Sequence, residues 1–343
     1  MVRSSLVDNS SEKTLYGRHR ATNAGSGGSC RANGVWRLYG RYTRFMGRSM
    51  SSRIVSGQGD LFVANLQDIR TKHARELMET NWVSLTKQLR KNDIKYLWND
   101  GNSYLRVYNN TEYGIANIWD MDIILYCISQ LTAAQSQGKK IGNGIWFSGG
   151  DFLSFIGRST KSRGGKAYKE IWDKLNRLHT THIETNIRSA SGEQDWKFVW
   201  VSSIRQGIDE QGRHRGYEVH IADWLVEAVR KKSLLLTLDN DYFTLTGGLE
   251  RWLYLWCRKA VGKQKEGWLE SYRSLWHKSG LECSYSNFTK QVRKVLKKDG
   301  GNLLNYHLTE VISRRQLCLS VELRVVKELR SFSTQNIWKE SAI

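Results

Sequence analysis

The stretch IWFSGGDFLSFIGRSTKSRGGKAYKEIWDKLNRLHTTHIETNI (residues 145–187) decides the reading of the fold. Ile145-Trp146-Phe147 reads as a short strand, and residues 148–156 as a short helix that begins near Asp151 and is ended by Gly157. A basic, glycine-containing turn over 158–165 leads into a helix over 166–178, and 181–187 reads as a strand. Residues 196–204 and 216–221 then complete a small antiparallel set around the polar turn 209–215. With a helix over 120–135 in front of them, the order is helix, strand, helix, turn, helix, and then strands with a basic hairpin tip, which is that of a winged helix.

The plan recurs downstream in shorter form. Helices are expected over 249–261, 269–279 and 286–298, with strand-like residues over 303–308. A helix over 223–231 and the apolar run 234–238 would join the two units. Upstream, 66–79 has helical character, 94–98 and 104–108 read as a strand pair around Asn99-Asp100-Gly101-Asn102, and Ile123, Ile124, Cys127, Ile128 and Leu131 recur at the spacing of a core helix over 120–135. The expected class is α+β: tandem winged-helix domains behind a disordered basic N-terminal arm. The boundaries are a basic arm over 1–57, a first winged-helix domain with its strand pair over 58–235, a second over 236–315, and an unassigned tail over 316–343. The arm holds ten Lys or Arg against two acids and has no sustained apolar periodicity. Met46 and Met50 near its end leave open whether it belongs to the functional protein.

At 343 residues the chain has length for about two ordinary domains. A net charge of +20 and a pI near 9.8 point to a polyanionic partner, nucleic acid first. No run of 18 apolar residues and no apolar leader is present, so a cytoplasmic protein with no membrane contact is expected. Five cysteines, at 30, 127, 257, 283 and 318, are too scattered for a disulfide framework or a zinc knuckle. The chain has no proline where average usage would give about 17. Its turns must therefore rely on Gly, Asn, Asp and Ser.

On the helix over 166–178, Lys166, Lys169, Asp173 and Arg177 fall in one stripe opposite Tyr168, Ile171, Trp172, Leu175 and Leu178. On the helix over 286–298, Phe288, Val292, Val295 and Leu296 lie together, and Lys290, Arg293, Lys294, Lys297 and Lys298 face away with no acid among them. Solvated helix faces usually mix signs. Each basic helix is also the third of a three-helix unit, the position that enters a major groove. The expected DNA contacts are these residues together with Arg158, Lys161 and Arg163 in the basic turn and Arg213, His214 and Arg215 at the hairpin tip. The bland alternative for each is a solvated basic face or a polar turn. The tryptophans at 172, 252, 256 and 276 read as core rather than as stacking platforms.

Signatures of chemistry fail on inspection. Gly165-Lys166 has Thr160 where a phosphate loop needs its first glycine, and Ala167 where it needs a hydroxyl. His179 and His182 are separated by two residues, not the single apolar residue of rolling-circle nickases. Asp120 with Asp122 and Asp239 with Asp241 have metal-like spacing but read as a helix N-terminal charge and turn residues. No enzyme activity, cofactor or metal is expected.

The runs Tyr113-Gly114-Ile115-Ala116-Asn117-Ile118-Trp119-Asp120 and Asp241-Tyr242-Phe243-Thr244-Leu245-Thr246-Gly247-Gly248-Leu249-Glu250-Arg251-Trp252 resemble the plasmid replication initiator protein A family. Supporting stretches lie at 151–158, 185–188 and 277–280, and the likeness spans roughly 60–310. Where that family's patterns carry prolines this chain has Gln88-Leu89 and Gly149-Gly150. The resemblance implies a protein that binds its plasmid's double-stranded origin DNA at short repeated sites, recruits host replication proteins, and often represses its own gene as a homodimer. Three other readings share the charge pattern: a dimeric transcriptional repressor, a metal-dependent nickase, and a basic scaffold for replication proteins.

Overall fold

Three four-stranded sheets and one two-stranded ribbon alternate with seven α-helices among the residues described by the computed structural model, which are 61–98, 101–158, 164–187, 195–212, 214–262 and 266–324. The mixed α+β class follows directly. The arm expected over 1–57 lies outside the described residues.

In chain order, β1 (Phe62–Val63) and β2 (Lys72–Ala74) open the fold, followed by a 3-10 turn over Arg75–Met78. This corrects the helix expected over 66–79. The backbone of Lys72 donates to the Ser129 hydroxyl at 2.8 Å, and β2 pairs antiparallel with a strand some 160 residues away in sequence, Leu235–Thr237. Partners of that kind outweigh local helical propensity. β3 (Ile94–Leu97) and β4 (Tyr104–Tyr108) form the expected antiparallel pair. α1 (Met121–Ser136) buries 12 of its 16 residues, as a helix apolar on nearly every side must.

Next come β5 (Gly144–Phe147), α2 (Gly149–Phe155), α3 (Gly165–Thr180), β6 (His182–Thr185), β7 (Trp196–Val199), β8 (Val201–Ile208) and β9 (His214–Ile221). The single strand expected over 196–204 is two. At the fully buried Trp200 the chain leaves one sheet, ordered β3-β4-β6-β7, and enters another, ordered β1-β5-β9-β8, in which only the β1–β5 pairing is parallel. α4 (Asp223–Arg230) and β10 (Leu235–Thr237) follow.

The rest is α5 (Gly248–Val261), β11 (Trp268–Ser271), α6 (Tyr272–Ser279), α7 (Tyr285–Lys298), β12 (Asn302–Leu303), β13 (Tyr306–Ser313) and β14 (Gln316–Leu323). Two expectations change here. The helix expected over 269–279 starts only at Tyr272, because Trp268–Ser271 pairs with β14 and the Ser271 hydroxyl caps the helix by accepting from Ser274 N at 3.1 Å. Residues 316–323, expected to be tail, form an internal strand between β11 and β13.

The boundary expected at 235/236 is bridged. β10 pairs with β2 across it, a Cβ at Gly248 in the first turn of α5 would overlap the Leu85 carbonyl, and one continuous cluster of buried side chains runs through both halves. The described residues, 61–324, belong to one compact unit.

His73, on β2, sits 3% exposed and reaches the Ala74 carbonyl through Nδ1 at 2.9 Å. Burial pushes its pKa down to about 4. With a folded value below the unfolded one, the unfolded chain takes up the extra proton as the pH falls from about 6.5 to about 4. Stability present at neutral pH is then lost through that window, by up to about 3 kcal/mol. Urea unfolding across the window is expected to show the fall, and His73→Gln to flatten it; equal slopes would remove His73 as its cause.

Candidate nucleic-acid interface

α3 divides along its length. Ala167, Ile171, Leu175 and Leu178 are buried, and Lys166 and Lys169 in its first turns are exposed with no ion pair or hydrogen bond among the described residues. Farther along, the stripe turns into the protein. Arg177 donates from Nε and Nη2 to the two oxygens of Asp120 at 2.7 and 2.8 Å, and the buried Lys174 donates to the Trp119 carbonyl at 2.7 Å. Asp120 is fully buried at the start of α1. Arg177, expected on the DNA face, is thus tied to the core, which corrects the helical-wheel reading: the wheel places it correctly on the helix but cannot show what packs there.

Arg158 is likewise held, donating through both terminal nitrogens to Glu170 of α3 at 2.8 Å each. Lys161, Arg163 and Arg213 lie outside the described residues. At the β8–β9 tip, Arg215 pairs with Asp209 at 2.9 Å and His214 stacks on Tyr168, with ring centroids 5.8 Å apart.

α7 is set by its start and its apolar side. The Ser284 hydroxyl accepts from Asn287 N at 3.3 Å, and Phe288, Thr289 and Val292 are buried. Lys290, Lys294 and Lys297 are exposed and make no ion pair or hydrogen bond among the described residues. The helix face carries no acid, as expected, but neighbouring elements supply two. Arg293 donates to both oxygens of Glu310 on β13 at 2.9 Å, and Lys298 donates to Glu250 on α5 at 2.7 Å. These flanking cations anchor the helix, and the three lysines between them form its open cationic face. α6 ends at Gly280, whose φ of 60° allows the sharp turn into α7.

Asp120 and Asp122, read from sequence as a helix N-terminal charge, are instead the centre of a chain of ion pairs. Asp122 accepts from Arg251 Nη1 at 2.8 and 3.1 Å, with both side chains about 5% exposed or less. Arg251 is adjacent in sequence to Glu250, which holds Lys298. The series therefore runs α3, α1, α5, α7: Arg177 to Asp120, Asp122 to Arg251, Glu250 to Lys298. Asp239 caps a 3-10 turn by accepting from Asp241 N at 3.0 Å. Among the described residues no group of three or more His, Cys, Asp or Glu is placed to hold a metal ion, and no helix is long and apolar enough to cross a membrane.

Sequence reasoning missed one basic feature. Ser313 pairs with Gln316 across the β13–β14 hairpin, leaving Arg314 and Arg315 as its two-residue tip, both exposed. The signal in the sequence was alternation on either side of the arginines, Tyr306 and Leu308 before them, Leu317, Leu319 and Val321 after. Two arginines lack the Asn-Gly signature that usually marks such a turn.

Comparison with known proteins gives three findings. The model of a family described as replication initiator protein A matches residues 72–308. A putative replication protein of Wigglesworthia glossinidia brevipalpis is 32% identical over 213 residues, covering 61% of this chain and 74% of that one. A crystal structure of domains 2 and 3 of RctB covers 73% of this chain and 98% of its own, with a TM-score of 0.52 at 13% identity, a similarity of fold.

Proposed function

Because the chain belongs to the replication initiator protein A family, we propose that it starts replication by binding origin DNA sequence-specifically through two winged-helix units, with α3 and α7 as the helices that enter major grooves. The observation that carries this reading is the α7 face: three exposed lysines without partners among the described residues, on a helix capped by Ser284 and anchored at Arg293 and Lys298, following α6 through a tight turn. Cations that hold the structure together are paired, as Arg158 in the basic turn and Arg177 on α3 are.

On this reading Lys166 and Lys169 of α3 and Lys290, Lys294 and Lys297 of α7 approach the duplex directly, with Lys161, Arg163 and Arg213 as further contacts from the basic turn and the first hairpin. Arg158, Arg177, Arg215, Arg293 and Lys298 act first as positioning residues. The partner is double-stranded plasmid origin DNA. Host replication proteins, recruited to the origin in the cytoplasm, supply the catalytic steps, and a homodimer would match a palindromic site.

The test is enrichment of duplexes from a random pool by the full chain, followed by binding of the enriched and a length-matched random duplex at two salt concentrations. A preference of about a thousandfold or more that survives the higher salt is expected of a sequence-reading protein. Equal, steeply salt-sensitive binding would reduce the activity to that of a basic protein on a polyanion.

A further inference from the structure

Nine lysines and arginines among the described residues are buried or half-buried, and seven of them have a carboxylate oxygen within 4 Å, as Arg177, Arg251 and Lys259 do. The two without one are Lys72 and Arg258, and both converge on the same residue. Lys72 opens β2 opposite Thr237 of β10, and its Nζ donates to the Thr237 hydroxyl at 2.6 Å. Arg258, in the last turn of α5, donates from Nε to the Thr237 carbonyl at 2.9 Å. Arg70, exposed and two residues before Lys72, makes no ion pair or hydrogen bond among the described residues. Burial first, and then repulsion by Arg70 and Arg258, holds the Lys72 pKa below the ordinary lysine value.

The acids near this corner are engaged elsewhere. Asp239, two residues beyond Thr237, caps a 3-10 turn by accepting from Asp241 N at 3.0 Å, and Glu79 takes Lys259 and Lys278. Withdrawing like charges from water together is unfavourable unless an opposite charge joins them. The donors gathered here suit a tetrahedral oxyanion. Lys72 keeps two of its three N–H bonds, the Thr237 hydroxyl accepts from Lys72 and so has its own proton to give, and Arg70 and Arg258 bring planar guanidinium groups.

We propose that the corner at Thr237, bounded by Arg70, Lys72 and Arg258, is a phosphate-binding site. The ligand chemistry is a phosphoryl group, carried by free phosphate or a small phosphate ester, or by a nucleic-acid backbone. Placement favours the free form. Ser129 of α1, which accepts from the Lys72 backbone, is nine residues past Asp120, and Arg258 is eight past Glu250 on α5, about 12 to 14 Å along each helix. The corner therefore lies at the other end of both helices from the ion pairs that hold α3 and α7, and the site stands apart from the duplex reading of those helices. A phosphate held there ties β2 to β10 and α5, the elements that bridge the two halves.

The experiment follows melting of the full chain in millimolar sodium phosphate and in sodium chloride of equal ionic strength. Phosphate should raise the wild-type melting temperature by about 3 °C or more over chloride, the shift for a ligand at roughly ten times its dissociation constant on a domain of this size. Any general salting effect is shared by all variants, so the reading is their difference from wild type. Lys72→Met should lose the increment yet melt no lower than wild type in chloride, since it removes a half-buried charge that has no acid partner. Lys259→Met is the contrast: it strips Glu79 of a cation, so it should melt lower in both salts and keep the increment. Arg70→Ala, at an exposed side chain, should leave melting in chloride unchanged and shrink the increment, which tests the site even if Lys72→Met folds poorly. Binding of Lys72→Met to a random duplex separates the two sources. A wild-type salt slope with a lost increment assigns the site to free phosphate, and a slope shallower by about 0.9 assigns it to a backbone phosphate. An increment that survives in both Lys72→Met and Arg70→Ala, or no increment in wild type together with an unchanged slope, would overturn the site.

Discussion

Replacing Arg251 by Met is expected to lower the unfolding free energy by about 3–5 kcal/mol. Arg251 is 4% exposed and donates to Asp122, itself 3% exposed, and to the Leu245 carbonyl at 2.8 Å. Methionine fills much of the volume but leaves a buried carboxylate without its cation, and the desolvation cost of that charge then stands alone. Removing both charges is a different matter. In Asp122→Leu/Arg251→Met most of the loss should be recovered, since an apolar pair can replace a buried ion pair at little net cost. Urea midpoints of the two variants check this, and a double variant no better than the single one would show that Arg251 acts through its carbonyl contacts rather than through Asp122.

Removing the open charges of α7 should act on binding instead of stability. For Lys290→Ala/Lys294→Ala/Lys297→Ala we expect about a hundredfold weaker binding to enriched and random duplexes alike. The slope of log affinity against log salt should be shallower by about 2.7, or about 0.9 for each phosphate that a lysine no longer neutralises. The melting temperature should hardly move, because none of the three lysines has a partner among the described residues. A salt slope that stays at the wild-type value would take α7 away from the duplex. Arg293→Ala is the instructive contrast: its guanidinium also holds Glu310, so it should affect the hairpin as well as the DNA.

The sequence was legible where structure is local. α1, α3, α5 and α7 were readable because apolar residues at helical spacing meet capping and glycine signals within a few positions. The cationic face of α7 was readable for the same reason. Misreadings arose where a distant partner decides. Residues 72–74 are a strand because Leu235–Thr237 lies beside them, and Trp200 interrupts what alternation presents as one strand. β14 was invisible because its turn is made by arginines. In the candidate interface, the separation of open from anchored charges depended on pairs 57, 129 and 48 positions apart, Arg177 with Asp120, Arg251 with Asp122 and Lys298 with Glu250. No periodicity encodes such pairs.

The ion-pair series from α3 through α1 and α5 to α7 has a consequence for avidity. Two binding helices joined by a loose tether would meet DNA one after the other, the second at an effective concentration set by tether length. Here the joint between them is the protein core, so once one helix is seated the other is already in place or already excluded. If α3 and α7 bind DNA as proposed, each can hold its groove weakly while the pair holds tightly, and a duplex that cannot satisfy both at once loses nearly the whole gain.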